Sequence, residues 1–84
     1  MKIIYFAWVR EKTGISEEII NEIPSSMKTI ADLIEWQKLR GNKFSNAFDN
    51  PTMIRAAVNQ EYVSHDHPID ISDEVAFFPP VTGG

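Results

Sequence analysis

Val75-Ala76-Phe77-Phe78-Pro79-Pro80-Val81-Thr82-Gly83-Gly84 is an apolar strand that runs into two prolines and ends on two glycines. Proline fixes φ and lacks an N–H donor, so Pro79 and Pro80 end the strand and project the last residues away from the body. An extended chain from Pro79 to Gly84 spans roughly 20 Å, enough to enter the active site of a partner. Glycine ordinarily serves where a chain must turn or a helix must close, and both uses need a chain that continues. With no residue after Gly84, the expected role of Gly83-Gly84 is a slim end that enters a channel too narrow for a Cβ. Its α-carboxylate is the expected working group. A frayed terminus is the plain alternative, but the strand and the prolines in front of the glycines aim the end outward. The expected division is a domain over 1–78 and an extended tail over 79–84.

Working outward, the first apolar run is K-I-I-Y-F-A-W-V over 2–9, rich in β-branched and aromatic residues, followed by Arg10-Glu11-Lys12 and Thr13-Gly14. It reads as a strand and a turn. Both parities are apolar, with Ile3, Tyr5, Ala7 and Val9 on one face and Ile4, Phe6 and Trp8 on the other. A chain of 84 residues has little material to cover both faces of a sheet. One set is therefore expected to be a partner-binding surface. Residues 16–23, whose glutamates and isoleucines would also suit a helix, read as the second arm of a hairpin, broken by Pro24-Ser25-Ser26.

The strongest helix signal covers 29–39. Thr29 and Asp32 have capping-box spacing, and Met27 stands before the cap, placed to staple onto Leu33. Ile30, Leu33, Ile34 and Gln37 recur at i, i+3, i+4 and i+7, flanked by Leu39 and Trp36. Lys38 and Arg40 suit the negative end of the helix dipole, and Gly41 is expected to end the helix. Phe44, Ala47 and Phe48 then make one short amphipathic turn within 42–51 that plugs an edge of the core. Residues 53–58 read as a strand, Asn59-Gln60 as a two-residue turn and 61–63 as the antiparallel return. Ser64-His65-Asp66-His67-Pro68 reads as a surface loop, since two imidazoles without a placed third ligand define no metal site. Residues 70–74 are a turn into the last strand, 75–78.

The composition narrows the function classes. One domain of this size suits a binding or carrier module and leaves no room for a cleft between lobes. Twelve acidic against eight basic residues, net −4, disfavour nucleic acid as a partner. Cysteine is absent, which excludes a disulfide, a thiolate nucleophile and a thiolate metal site. No apolar run approaches the length needed to span a membrane, and Met1 leads directly into a strand-like segment, so no membrane partner and a cytoplasmic location are expected. The order strand, strand, helix, short helix, strand, strand, strand predicts an α+β fold. If the first and last strands pair in parallel beneath the helix, about five strands form a mixed β-grasp sheet with the tail leaving a central strand.

These residues resemble a known family. Ala57-Val58-Asn59-Gln60, Val63, His67-Pro68 and D-E-V-A-F-F-P-P-V-T-G-G over 73–84 look like the small, sulfur-carrier subunit of molybdopterin synthase. Phe6-Ala7 with Val9-Arg10-Glu11 is similar to that family's first strand. The likeness runs the full length, and Ser72 stands where the family usually has glycine.

The resemblance implies a ubiquitin-like β-grasp and a cycle in which an adenylating enzyme uses ATP to convert the Gly84 carboxylate to an acyl-adenylate. A sulfur donor protein then displaces AMP to give a thiocarboxylate, and the large catalytic subunit passes that sulfur to cyclic pyranopterin monophosphate. It further implies two small subunits on a dimer of large ones, no cofactor bound by this chain and no catalytic constellation of its own. Val81 and Thr82 complete the tail, Phe6, Tyr62 and Phe78 carry over as the partner-facing patch, and Arg10 as a contact of the activating enzyme. Other readings of the tail are a carrier for thiamine or tRNA thiolation, a protein modifier joined through Gly84 to lysines, and an interaction domain with an inert end.

Overall fold

Lys2–Tyr5 (β1) and Glu74–Phe78 (β5) pair in parallel, with Ile3 opposite Val75 and Tyr5 opposite Phe77. Parallel neighbours need a long crossover, and nearly the whole chain supplies it. The computed structural model describes residues 1–80; Val81, Thr82, Gly83 and Gly84, which the sequence marks for the tail chemistry, lie outside the described residues. Glu17–Ile19 (β2) pairs antiparallel with β1, and Arg55–Val58 (β3) pairs antiparallel with both β5 and Glu61–Val63 (β4). The sheet order is β2-β1-β5-β3-β4. The first and last strands thus meet inside the sheet as expected, and the fold is a β-grasp.

The first strand is shorter than the sequence suggests. It ends at Tyr5, and Ala7–Thr13 (α1) is a helix where 2–9 reads as one strand and 10–14 as a turn. Ala7 turns the chain with φ 51°, and Gly14 closes the helix at φ 82°, its N–H donating to the Arg10 carbonyl at 2.9 Å. Val9 and Thr13, one helical turn apart, are the residues it buries. The parity assignment survives for Val9 but by a helical route, and Ala7 is exposed rather than core. The hairpin expected between 2–9 and 16–23 is consequently two strands separated by a helix, with the second arm cut to Glu17–Ile19. Beyond it, pairing persists through the Met1 amino group, which donates to the Ile20 carbonyl at 2.8 Å.

Ile30–Lys38 (α2) is the covering helix. Both halves of its capping box form: the Thr29 hydroxyl accepts from the Asp32 N–H at 3.2 Å, and Asp32 accepts from the Thr29 N–H at 3.0 Å. Two further N–H groups at its start, from Ile30 and Ala31, donate to the carbonyls of His67 and His65. This satisfies donors that a helix start otherwise leaves without partners. It also fixes the histidine loop as a support for the helix. The His65 ring, 2.8 Å from the Ile54 carbonyl, ties the same loop to the start of β3.

Ile30, Leu33, Ile34 and Gln37 are all buried, as their spacing predicts. Leu39 is not part of that stripe, being 84% exposed. Gly41 does not end α2; its φ of 110° serves the entry to Asn42–Ala47 (α3). After α3, Pro51–Met53 forms a 3-10 turn, so β3 begins at Arg55 and not at Met53.

The core lies between the helices and one face of the sheet. Ile3, Tyr5, Val75, Phe77, Ala56 and Val58 point into it from the strands, and Ile30, Leu33, Ile34, Val9, Ala47 and Phe48 meet them from the helices and the residue after α3. Phe48 and Phe77 pack edge to face at 5.1 Å. Asn59 and Gln60 both take positive φ, 51° and 71°, as a type I′ hairpin turn requires. The turn at 70–73 is held by side chains: the Ser72 hydroxyl and N–H both donate to Asp70.

Candidate functional site

Strand residues alternate between faces, so the neighbours of the core residues must look the other way. Register places Glu17, Ile4, Ala76, Ala57 and Tyr62 side by side across all five strands on that second face. Among the described residues no helix covers it. Alanines at the centre and larger side chains around them make a shallow depression lined by Ile4, Phe6, Ala57, Tyr62, Ala76 and Phe78, with Gln60 and Glu74 at one end. Tyr62 and Phe78 lie ring against ring at 5.3 Å. Tyr62 is 81% exposed and Phe6 47%.

The three residues expected to form a partner patch are therefore brought to one face, and of the two apolar sets of the first run it is the one with Ile4 and Phe6 that lies there. Trp8, expected on the same parity, is carried away by α1 and is half-buried against the core. A place for Ala57, Ala76 and Gln60 in the depression is not legible in the sequence, although the strand alternation that puts Phe78 on this face also puts Ala76 there.

Phe78 is both a wall of the depression and the last residue of β5, so Pro79 and Pro80 leave from the edge of this face. The Phe6 N–H donates to the Phe77 carbonyl at 3.0 Å, which locks the start of α1 to the root of the tail. Arg10, on α1, is exposed at the same end of the sheet. Across the edge of the face, Lys2 and Glu17 form an exposed ion pair at 3.4 Å, of a kind that contributes little. Ile4, Phe6, Ala57, Ala76 and Phe78 make an apolar floor and wall, and Tyr62 and Glu74 are the titratable groups of the lining. An exposed apolar depression of this kind suits the docking of a partner.

The covered side holds a polar network that the sequence does not announce. Gln37, fully buried, donates to the Tyr5 hydroxyl at 2.7 Å, and that hydroxyl donates to Glu18 at 2.7 Å. Arg40 grips both Glu18 oxygens at 2.7 Å, bonds the Gln37 carbonyl oxygen at 2.9 Å, and stacks over the Trp36 and Phe44 rings. Burial, followed by the bond to Glu18, pushes the Tyr5 phenol well above its ordinary value. Burial alone would also raise Glu18, but the bonds from Arg40 and Tyr5 outweigh it and hold the carboxyl below the usual range. The Glu18 bond in turn raises Arg40. The network ties β1, β2 and the end of α2 together behind the open face.

Residues 3–84 match the ThiS family. The molybdopterin synthase sulfur carrier subunit of Escherichia coli (strain K12) is 39% identical over 84 residues, covering 100% of this chain and 99% of that protein. Among solved structures, the putative molybdopterin converting factor, subunit 1, from Pyrococcus furiosus is similar with TM-score 0.66 at 30% identity over 95% of each chain. SAMP1 from Haloferax volcanii is similar with TM-score 0.71 over 100% of this chain and 98% of that one; at 22% identity it bears on the fold alone. With its β-grasp sheet, its open aromatic face at the tail root and this full-length similarity, the chain belongs to the ThiS family, alongside the molybdopterin synthase sulfur carrier subunits.

Proposed function

We propose that this protein is a sulfur carrier of molybdenum cofactor biosynthesis, in which the Gly84 carboxylate is activated, converted to a thiocarboxylate and spent inside molybdopterin synthase. The carboxylate is a poor electrophile, because attack on it must expel oxide. An adenylating enzyme removes that obstacle: a Gly84 oxygen attacks the α-phosphorus of ATP, pyrophosphate leaves, and the carbonyl carbon gains AMP as leaving group. Sulfide-level sulfur from a donor protein displaces AMP and gives the thiocarboxylate. Its sulfur attacks cyclic pyranopterin monophosphate in the large catalytic subunit, and water then takes up the acyl group, restoring the Gly84 carboxylate. A thiocarboxylate carries nucleophilic sulfur in a chain without cysteine.

The observation that carries this reading is the continuity of the open face with the tail root at Phe78. A partner seated on Phe6, Tyr62 and Phe78 receives residues 79–84 directly, and such aromatic residues are the kind that anchor interfaces. The family and the name of the E. coli relative supply the pathway. No helix among the described residues is long and apolar enough to cross a membrane. The reading includes cytoplasmic action and a heterotetramer of two carriers on a dimer of large subunits.

Intact-mass measurement after incubation with ATP, the adenylating enzyme and a sulfur donor tests it. One oxygen replaced by sulfur at the C-terminus, lost when Gly84 is deleted, is expected. No exchange, with partners active on a known carrier, would overturn the reading, and a lysine-linked adduct in its place would point to a protein modifier.

A further inference from the structure

The open face is not electrically uniform along the strands. β5 begins after Asp70 and Asp73 and at Glu74, and β4 begins at Glu61, so one end of the sheet is mostly acidic, with Lys2, beside Glu74 and paired to Glu17, as a cation there. The opposite end, where Pro79 leaves, carries Arg55 at the start of β3 and Arg10 and Lys12 on α1, all exposed, with Glu11 beside them on α1 and Asp49 lining a hollow with Lys12. Arg55 holds the most informative position of the three. Register sets it beside Phe78, and alternation along β3 puts it on the same face as Ala57. None of the ion pairs among the described residues involves it. Next to it a shallow groove is lined by Thr52, Val63, Ser64 and His65, and the nearby Asp66 carboxylate is already bonded by the Ser64 hydroxyl.

In a chain of net charge −4, a partner with an acidic rim would be repelled from most approaches. The exposed Arg55 beside Phe78 offers it an attractive approach at the end where β5 gives way to Pro79. Resting on the sulfur-carrier reading, we infer that Arg55 is a specificity-determining contact of the docking face. It receives a carboxylate on the rim of the channel into which the large catalytic subunit takes residues 79–84. The apolar wall made by Phe78 gives the pair a partly dehydrated surrounding, and the arginine fork fixes the orientation in which a carboxylate is met. The contact brings the tail to its channel instead of adding bulk affinity, since charge complementarity acts chiefly on encounter and register.

The test is stopped-flow association of the full chain with the purified large subunit at low and high ionic strength, using wild type, Arg55→Glu, Arg55→Lys and Phe78→Ala. At low salt Arg55→Glu should associate about tenfold or more slowly, and the gap should close to roughly twofold at high salt. Arg55→Lys should retain most of the wild-type rate, and melting temperatures should agree, since Arg55 is exposed. An Arg55→Glu rate equal to wild type at low salt, or a deficit that salt leaves unchanged, overturns the inference alone, provided wild type binds and Phe78→Ala weakens it. Failure of wild type to bind at all overturns the carrier reading and this inference together.

Discussion

Phe77 and Phe78 are neighbours of one residue type with opposite surroundings. Phe77 is fully buried, stacked with Tyr5 at 6.3 Å and set edge to face against Phe48. Phe78 stands half-buried on the other face against the exposed ring of Tyr62. Tyr5 and Phe6 repeat the contrast on β1, 1% exposed against 47%. The covered face spends its aromatics on cohesion. The open face keeps apolar surface exposed, which is costly in isolation and useful only if a partner covers it. Residues that hold the fold and residues free to meet a partner are thus kept on separate sides of one sheet.

The sharpest way to break this division is Phe77→Ala. Truncating a fully buried phenylalanine removes its transfer free energy and leaves a cavity, so a loss of about 3–5 kcal/mol in denaturant unfolding is expected. Phe78→Ala should do the reverse. Stability should change by less than about 1 kcal/mol, while affinity for the large subunit, measured by calorimetry, should fall by about 2 kcal/mol, as for a central interface anchor. A destabilisation by Phe78→Ala as large as that of Phe77→Ala would dissolve the distinction.

Much of this contrast is legible in the chain. The D-E-V-A-F-F strand, the Asn59-Gln60 turn and the two apolar parities of the first run are read from the residues, while the grouping of Phe6, Tyr62 and Phe78 comes from the family resemblance. The first helix is not legible in the same way. K-I-I-Y-F-A-W-V satisfies a strand template throughout, and only the Val9–Thr13 spacing and the helix-closing Gly14 mark the change of period. The place of Arg55 is hidden too, because it comes beside Phe78 only once β3 and β5 are aligned. Gln37 does carry a signal. A polar residue in the i+7 slot of an apolar stripe needs a buried partner, here Tyr5, 32 residues away in sequence.

That network sharpens the comparison through pH. Glu18 is held below its unfolded value, so its contribution is present above about pH 4.3 and is lost as pH falls through that value and toward the folded one. Tyr5 is raised, so its contribution is present below about pH 10 and is lost as pH climbs past it. Urea unfolding of Glu18→Gln should therefore show a flatter acid limb than wild type. At pH 7 Glu18→Ala should cost about 1–2 kcal/mol, because Arg40 keeps its aromatic stacking but loses a charged acceptor. An acid limb unchanged by Glu18→Gln would mean that the network does not report on folding.

The smallest effect is the most discriminating. Thr29→Ala removes the acceptor for the Asp32 N–H and half of the capping box, leaving the buried residues of α2 in place. The expected cost is about 1 kcal/mol, and Thr29→Ser should recover most of it, since serine supplies the same oxygen. Docking should not change under conditions where both variants are fully folded, because α2 lies on the far side of the sheet from Phe6, Tyr62 and Phe78. If affinity for the large subunit tracks the cap and not the folded fraction, then strain in the covering helix reaches the open face through β1 and β5. The two faces would then be one coupled unit, and the separation drawn from Phe77 and Phe78 would hold for burial but fail for function.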